Sequence, residues 1–221
     1  EVRRIAEEQG LATAKRKDSQ GICFVGKVDL PTFLQQKLAP KKGNIHEILP
    51  AWPKYVREEV PAEGEPTTGQ LAALAEPWRY TVRDGKKIGE HNGAHFYTVG
   101  QRKGLGIGGR RESLFVLATD VGQNVIYVGE GDAHPGLYRK ALFMKAGDLH
   151  WIDPAERMRA GQRRRFRVRI RYRQPLQGAE LVVCDEGGYL LFDEPQRGVT
   201  PGQFAVWYDG ETLVGSGVID R

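Results

Sequence analysis

The chain has 221 residues, 40% of them hydrophobic, and a mean hydropathy of −0.49, the balance of an ordinary soluble globular protein and not of a chain built from membrane spans. A net charge of +5 and a pI of 9.2 suit a polyanionic partner without specifying one. Two cysteines, Cys23 and Cys184, are too few for a secreted disulfide scaffold and predict a reducing compartment.

The opening Glu1-Val-Arg-Arg leads into no apolar run, so no secretory leader is expected. Residues 1–12 predict the end of a helix with Gly10 as its stop, beginning abruptly, as if its start lay in a domain upstream. Lys15–Gln20 predicts a polar loop, Gly21–Val25 a short apolar strand, and Leu30–Leu38 a short helix with Asp29 as cap and Pro31 in its first turn. From Leu49 to Pro77 the chain is rich in Pro, Glu, Thr and Gly and predicts an irregular excursion. Short β-like runs follow: Tyr80–Val82, His95–Val99, Leu114–Thr119, Val125–Val128, Phe166–Tyr172, Leu181–Val183, Tyr189–Phe192, Phe204–Tyr208 and Thr212–Ile219. With Asp84-Gly85 and Asp209-Gly210 as hairpin turns, this spacing predicts β-barrels or sandwiches, divided near Asp132–Tyr138.

The strongest charge pattern is Arg163–Arg173. Arg165, Arg167, Arg169, Arg171 and Arg173 fall on one face of a strand, and Phe166, Val168, Ile170 and Tyr172 on the other. Same-face side chains stand about 6.6 Å apart. Solvated faces usually mix acids with bases, so an unmixed arginine face points to nucleic acid. Gly104-Leu-Gly-Ile-Gly-Gly109 satisfies GxGxxG, but no helix follows it and no Gly-Lys-Ser/Thr closes it, which excludes dinucleotide and Walker loops. Preceded by Gly100-Gln-Arg-Lys103, it is either a basic loop able to approach a phosphate backbone or a set of tight turns. His91 and His95 have the spacing of a zinc pair, yet no third ligand accompanies them and no metal is expected. Cys184 lies in an apolar run, as a small buried hydrophobe does. Cys23 follows small and polar residues, with Lys15, Arg16 and Lys17 nearby, a setting that favours an accessible thiolate. Composition alone leaves Cys23 open between reactive and structural.

Several long blocks resemble one family. Lys17-Asp-Ser-Gln-Gly-Ile-Cys-Phe-Val-Gly26 is similar to the motif around the persulfide cysteine of the tRNA-specific 2-thiouridylases, the MnmA/TrmU family. Gly93-Ala-His-Phe-Tyr-Thr-Val-Gly-Gln-Arg-Lys-Gly-Leu-Gly106, Ile170-Arg-Tyr-Arg-Gln-Pro175, Phe192-Asp-Glu-Pro-Gln-Arg and Val199-Thr-Pro-Gly-Gln203 resemble that family too, in its order. The resemblance implies a mainly β fold: a short N-terminal helix left over from an absent α/β ATP-binding domain, a small central β-rich domain and a C-terminal β-barrel that binds tRNA. The corresponding limits are 1–25 for the tail of the ATP-pyrophosphatase domain, 26–135 and 136–221. The phosphate loop and first catalytic cysteine of the family have no counterpart here, so ATP, co-substrate of the whole enzyme, is expected to find no site in this stretch, which by itself is expected to be inactive.

The resemblance also implies a chemistry. The wobble uridine is adenylated at its C2 oxygen, a persulfide on Cys23 delivers sulfur to C2, and a disulfide with the first cysteine remains to be reduced. It further implies tRNA contacts at Arg171, Tyr172 and Gln203, to which the charge pattern adds Arg167 and Arg169. The expected partners are tRNA and a sulfur donor, either a cysteine desulfurase or a sulfur-relay protein. No membrane is expected, and the protein is expected to be a monomer in the cytoplasm, or in the mitochondrion if eukaryotic. Tyr172 sits on the apolar side of the alternation, which requires a bulge or a hydroxyl reaching past an edge. Two rivals stand beside this reading: a non-catalytic RNA-binding β module in which Cys23 is inert, and a cysteine hydrolase, for which no histidine has a recognisable partner context.

Overall fold

The computed structural model describes residues 2–11, 15, 39–56 and 64–221, and the chain divides into two units, Glu1–Pro40 and Lys41–Arg221. Cys23, the apolar segment around it and the helix expected at Leu30–Leu38 lie outside the described residues. In the first unit, helix α1 spans Val2–Glu8. It ends as the sequence predicts. Gly10 adopts φ +64° and donates its N–H to the Glu7 carbonyl, while the Leu11 N–H reaches back to Ala6.

The second unit is mainly β and holds two sheets. Strands β1 Gly43–Glu47, β2 Lys86–His91, β3 Leu114–Asp120 and β4 Val125–Glu130 form the first, in the order β2-β1-β4-β3. Only β1 and β4 run parallel. On one face Val125 and Tyr127 meet Ile48, Trp52, Tyr80 and Leu117; on the other Ile126 and Val128 meet Ile45, Leu114 and Val116. With both faces covered, β4 is a continuous apolar run, not an alternating one.

The second sheet holds β5 Tyr138–Lys145, β6 Leu149–Trp151, β7 Arg163–Arg169, β8 Gln177–Cys184, β9 Gly187–Arg197, β10 Phe204–Asp209 and β11 Thr212–Val218. Their order is β5-β9-β8-β7-β10-β11-β6. A single 3₁₀ turn, Ala146–Asp148, separates β5 from β6, so one stretch of chain supplies both edges. Beyond β11 the Asp220 N–H donates to the Phe143 carbonyl and the Phe143 N–H to that of Arg221, so the curled sheet meets itself. Its interior is filled by Leu142, Phe166, Val168, Leu181, Leu190, Phe192 and Trp207, each less than 5% exposed.

Several expectations are corrected. Leu49–Pro77 is not merely irregular. It contributes Trp52 and Tyr55 to an aromatic cluster with Trp78 and Tyr80, and it carries helix α2, Thr68–Ala75. Thr67 and Gln70 form a capping box at the start of α2, and Leu71, Leu74 and Ala75 cover Ala141, Phe143, Val182 and Tyr189 on the outside of the second sheet. Proline and glycine mark the borders of this segment, and the apolar spacing within it makes the helix. Tyr80–Val82 is no strand, because Tyr80 packs in the aromatic cluster and residues 81–84 turn. His95–Val99 begins instead with a 3₁₀ turn, Ala94–Phe96. Asp209-Gly210 opens the β10–β11 hairpin as predicted, whereas Asp84-Gly85 ends the long connection from β1 to β2 and makes no tight hairpin.

Asp84 fastens the aromatic cluster. Its carboxylate accepts from the Thr81 N–H at 2.8 Å, the Thr81 hydroxyl at 2.7 Å, and Trp52 Nε1 and Lys54 Nζ at 3.1 Å each. Burial alone would raise its pKa; these donors together outweigh it and hold the group down to about 2. A depressed carboxylate stabilises the fold above its unfolded pKa, and that contribution is lost as pH falls from about 4 towards 2. Asp84→Asn is therefore expected to lower stability by about 1–2 kcal/mol at pH 7, with the gap from wild type narrowing as pH falls through that window; urea titrations at several pH values check this. At the helix, Thr67→Ala should cost about 1 kcal/mol and Leu71→Ala about 2–5 kcal/mol, both read as shifts in the unfolding midpoint.

Candidate nucleic-acid interface

The apolar residues of β7 fix where its arginines point. Phe166 and Val168 are buried with Trp207, so Arg165, Arg167 and Arg169 face outward. That outward face is less uniform than its own sequence implies, because neighbouring strands bring acids to it. Arg165 Nη2 bonds both carboxylate oxygens of Asp193 on β9 at 2.6 Å. Arg163 meets Glu180 on β8 at 2.9 Å and Glu65 at 3.2 Å. Arg164, on the opposite side, pairs with Glu156 and Asp209.

Further along, the partners change from carboxylates to carbonyls. Arg167 Nη2 donates to the Leu176 carbonyl at 2.8 Å, Arg169 Nη1 to that of Tyr172 at 3.1 Å, and Arg171 Nη2 to that of Gly198 at 2.8 Å. Among the described residues no carboxylate pairs with any of these three. A carbonyl orients a guanidinium without cancelling its charge, so this end of the strand keeps its positive field.

Strand β7 ends at Arg169, and Ile170–Gln174 is a turn. This resolves the placement of Tyr172: the alternation has stopped before it, and its ring is 86% exposed. The turn is held by the Gln174 side chain, whose Oε1 accepts from the Ile170 N–H at 3.0 Å and whose Nε2 donates to buried Gln196 at 2.6 Å.

Beside β7 lies β10, in register Val206↔Arg169 and Tyr208↔Arg167. Ala205 and Trp207 point into the core, which turns Phe204, Val206 and Tyr208 outward beside the arginines. Together these residues line an open groove of about 590 Å³ containing Arg169, Arg171, Tyr172, Gln203, Phe204 and Tyr208. Four of the five predicted tRNA-contacting residues thus converge on it, and Arg167 stands across from Tyr208. The Arg169 guanidinium lies 5.7 Å from the Tyr208 ring centroid, and its Nε is buried with no partner among the described residues. Phe204, 58% exposed at the rim, and Tyr208 were not singled out from sequence, although the alternation Phe204-x-Val206-x-Tyr208 carries the signal.

The other candidates lie elsewhere. The Cys184 thiol is half-buried, donates to the Gly187 carbonyl at 3.4 Å and packs against the α2 cluster. His91 Nδ1 accepts from the Gly93 N–H at 2.9 Å, and burial pushes its pKa down despite backbone contacts that raise it. Among the described residues no cluster of three or more metal-ligating side chains occurs, and no helix is long and apolar enough to cross a membrane.

Comparison with known proteins adds family matches along the chain. Residues 142–219 match the aminomethyltransferase beta-barrel domain, 79–130 the tRNA methyl transferase PRC-barrel domain, and 1–27 the tRNA methyl transferase HUP domain. The tRNA-specific 2-thiouridylase MnmA of Christiangramia forsetii is 49% identical over 219 residues, 99% of this chain and 55% of that protein. That of Flavobacterium johnsoniae gives the same figures, and that of Pseudomonas aeruginosa strain LESB58 is 41% identical over 224 residues, 100% of this chain and 49% of that protein. The chain spans about half the length of the curated relatives it matches. Matches in this order, with identity sustained along the whole chain, identify it as a member of the tRNA-specific 2-thiouridylase (MnmA) family.

Proposed function

We propose that this chain supplies the sulfur-carrying cysteine and the tRNA grip of a tRNA-uridine 2-sulfurtransferase acting on the wobble uridine. Cys23 is the persulfide carrier. The uridine, adenylated at its C2 oxygen at the expense of ATP, is attacked at C2 by the terminal persulfide sulfur, and AMP leaves with the oxygen. A second cysteine thiolate then attacks the Cys23 sulfur. The S–S bond breaks towards the base, leaving 2-thiouridine and a protein disulfide that a reductant reopens. Cys184, in a barrel strand and packed against α2, is not that thiolate. A cysteine desulfurase or sulfur-relay protein reloads Cys23, and the enzyme works as a cytoplasmic monomer. Three parts divide the work: 1–25 with the persulfide cysteine, 26–135 around the first sheet, and 136–221 as the tRNA-binding barrel.

The observation carrying this reading is the groove where Arg169, Arg171, Tyr172 and Gln203 meet. Unneutralised guanidinium groups suit phosphates. Exposed Tyr172 and Phe204 suit the faces of unstacked bases, which an enzyme acting on a loop nucleotide must expose. The Gln203 amide offers a donor and an acceptor for a base edge.

Four variants of the full-length protein test this reading. Cys23→Ser abolishes 2-thiouridine formation and leaves tRNA binding within a few-fold, whereas Cys184→Ser retains activity; nucleoside analysis of treated tRNA reads both, and thiolation by Cys23→Ser at the wild-type rate would reject the assignment. In a salt series, replacing Arg167, Arg169 and Arg171 by alanine flattens the slope of log affinity against log salt by about 0.7 per lost contact. Arg165→Ala, already neutralised by Asp193, changes it little. An unchanged slope in a folded triple variant would leave the arginine face merely solvated. Tight tRNA binding with no thiolation under any donor would favour the non-catalytic RNA-binding module.

A further inference from the structure

The glycine-rich loop between β2 and β3 is not used by the function above. Its ends are anchored. Gly100 N–H donates to the Val116 carbonyl at 2.7 Å and the Val116 N–H to that of Gln101 at 2.9 Å. On the far side Arg110 binds Glu47 at 2.7 Å and Glu130 at 3.5 Å, and the Glu112 N–H donates to Glu130 at 2.9 Å. Its middle is pinned from beneath by Leu105, 7% exposed, and by Ile107, both packed on the core of the first sheet. The loop therefore holds a defined shape.

That shape leaves donors unused. Tight turns would spend their N–H groups on carbonyls three residues back. Here the five consecutive N–H groups from Gly106 to Arg110 donate to no acceptor among the described residues. Two acceptors are occupied instead: the Gly104 carbonyl by the Tyr97 hydroxyl at 3.1 Å and the Lys103 carbonyl by Gln101 Nε2 at 2.8 Å. Gly104, Gly106 and Gly109 have φ of +86°, +67° and +73°, and the residues between them do not have positive φ. Changes of backbone hand between neighbouring residues are the kind of geometry that forms anion-binding concavities from main-chain N–H groups. A hollow of about 550 Å³ is lined by Arg102 and the chain from Gly104 to Leu114. Arg102, Lys103 and Arg111 are exposed around it and, among the described residues, have no carboxylate partner; Glu112 is the one acid in the lining.

We propose that this loop is a second RNA-binding surface, which takes the sugar–phosphate backbone through its main-chain N–H groups and through Arg102, Lys103 and Arg111. The inference rests on the tRNA-binding role proposed above. It assigns the loop to phosphates and not to base edges: main-chain donors and long cations carry no sequence information, and a pre-shaped loop loses little freedom on binding.

The test is a full-length Arg102→Gln/Lys103→Gln/Arg111→Gln variant, with thermal unfolding to establish that it is folded. Filter binding across a salt series is run with wild type, this variant and the Arg167/Arg169/Arg171 alanine variant. Two tRNAs and one unrelated stem-loop RNA are the probes, and inorganic pyrophosphate is titrated in parallel. The loop variant is expected to flatten the salt slope by about 2 in total, from about 0.7–0.9 per contact, and to weaken all three RNAs alike by about tenfold or more at 0.1 M salt. Pyrophosphate affinity is expected to be weak and to contribute little. If the alanine variant flattens the slope while the loop variant changes neither slope nor affinity, the loop is a surface turn and the inference falls. Loss of pyrophosphate binding with RNA binding intact would make it a small-anion site and overturn it equally. If wild type itself fails to bind tRNA, the proposed function falls first.

Discussion

The register between β7 and β10 governs what the second sheet offers to a partner. Val168 opposite Trp207, and Phe166 beside them, are buried so completely that slipping either strand by one residue would drive arginines into the core. The cost of burying an unpaired guanidinium far exceeds that of exposing a valine, so this register is the stable one. Once it is set, Arg167 and Arg169 must face outward beside Phe204, Val206 and Tyr208. Cations alongside aromatic faces thus follow from core packing on the reverse side.

Charge along β7 is then graded by its neighbours. At the Arg163 end, Glu180 and Asp193 from β8 and β9 neutralise what the strand presents; at the Arg169 end, backbone carbonyls merely steer it. The exposed Arg165–Asp193 pair contributes little to stability, but together with the part-buried Arg163–Glu180 pair it removes two arginines from the field available to a polyanion. A stretch that looks uniform in one dimension is therefore polarised in three, and its unneutralised end coincides with the turn in which Tyr172 stands exposed.

Much of this was legible in the sequence because it depends on local periodicity. The alternation Phe166-x-Val168-x-Ile170 gave the buried face, Gly10 the end of α1, and Asp209-Gly210 a hairpin. Strands β1, β2, β5 and β6 were not legible. The first two are short and polar, β5 is interrupted by a bulge between Arg139 and Ala141, and β6 has three residues. Helix α2 was hidden by the prolines and glycines flanking it, even though Thr67 and Gln70 spell its capping box. What no single-strand reading could supply was what other strands bring alongside: that Arg165 meets Asp193 from β9, two strands away, while Arg169 lies opposite Val206 is a property of strand order. The family resemblance implied Arg171, Tyr172 and Gln203 one by one, and their meeting in one groove with Phe204 and Tyr208 appears only in the fold.

Gly198 shows how such a groove is vulnerable from behind. Its carbonyl receives both the Arg171 guanidinium and the Thr200 hydroxyl, and its backbone is left-handed at φ +63°. A Cβ there would stand 2.4 Å from Arg171 Nη2, inside the volume the guanidinium occupies. The position carries no charge, no hydroxyl and no ring, and it is buried. It nevertheless sets the aim of an arginine at the rim, through a carbonyl that receives the guanidinium and through the space its absent side chain leaves. If the groove takes RNA as proposed, loss of that role at Gly198 would arise from a side chain gained, in a place where a list of groups able to touch RNA would never look.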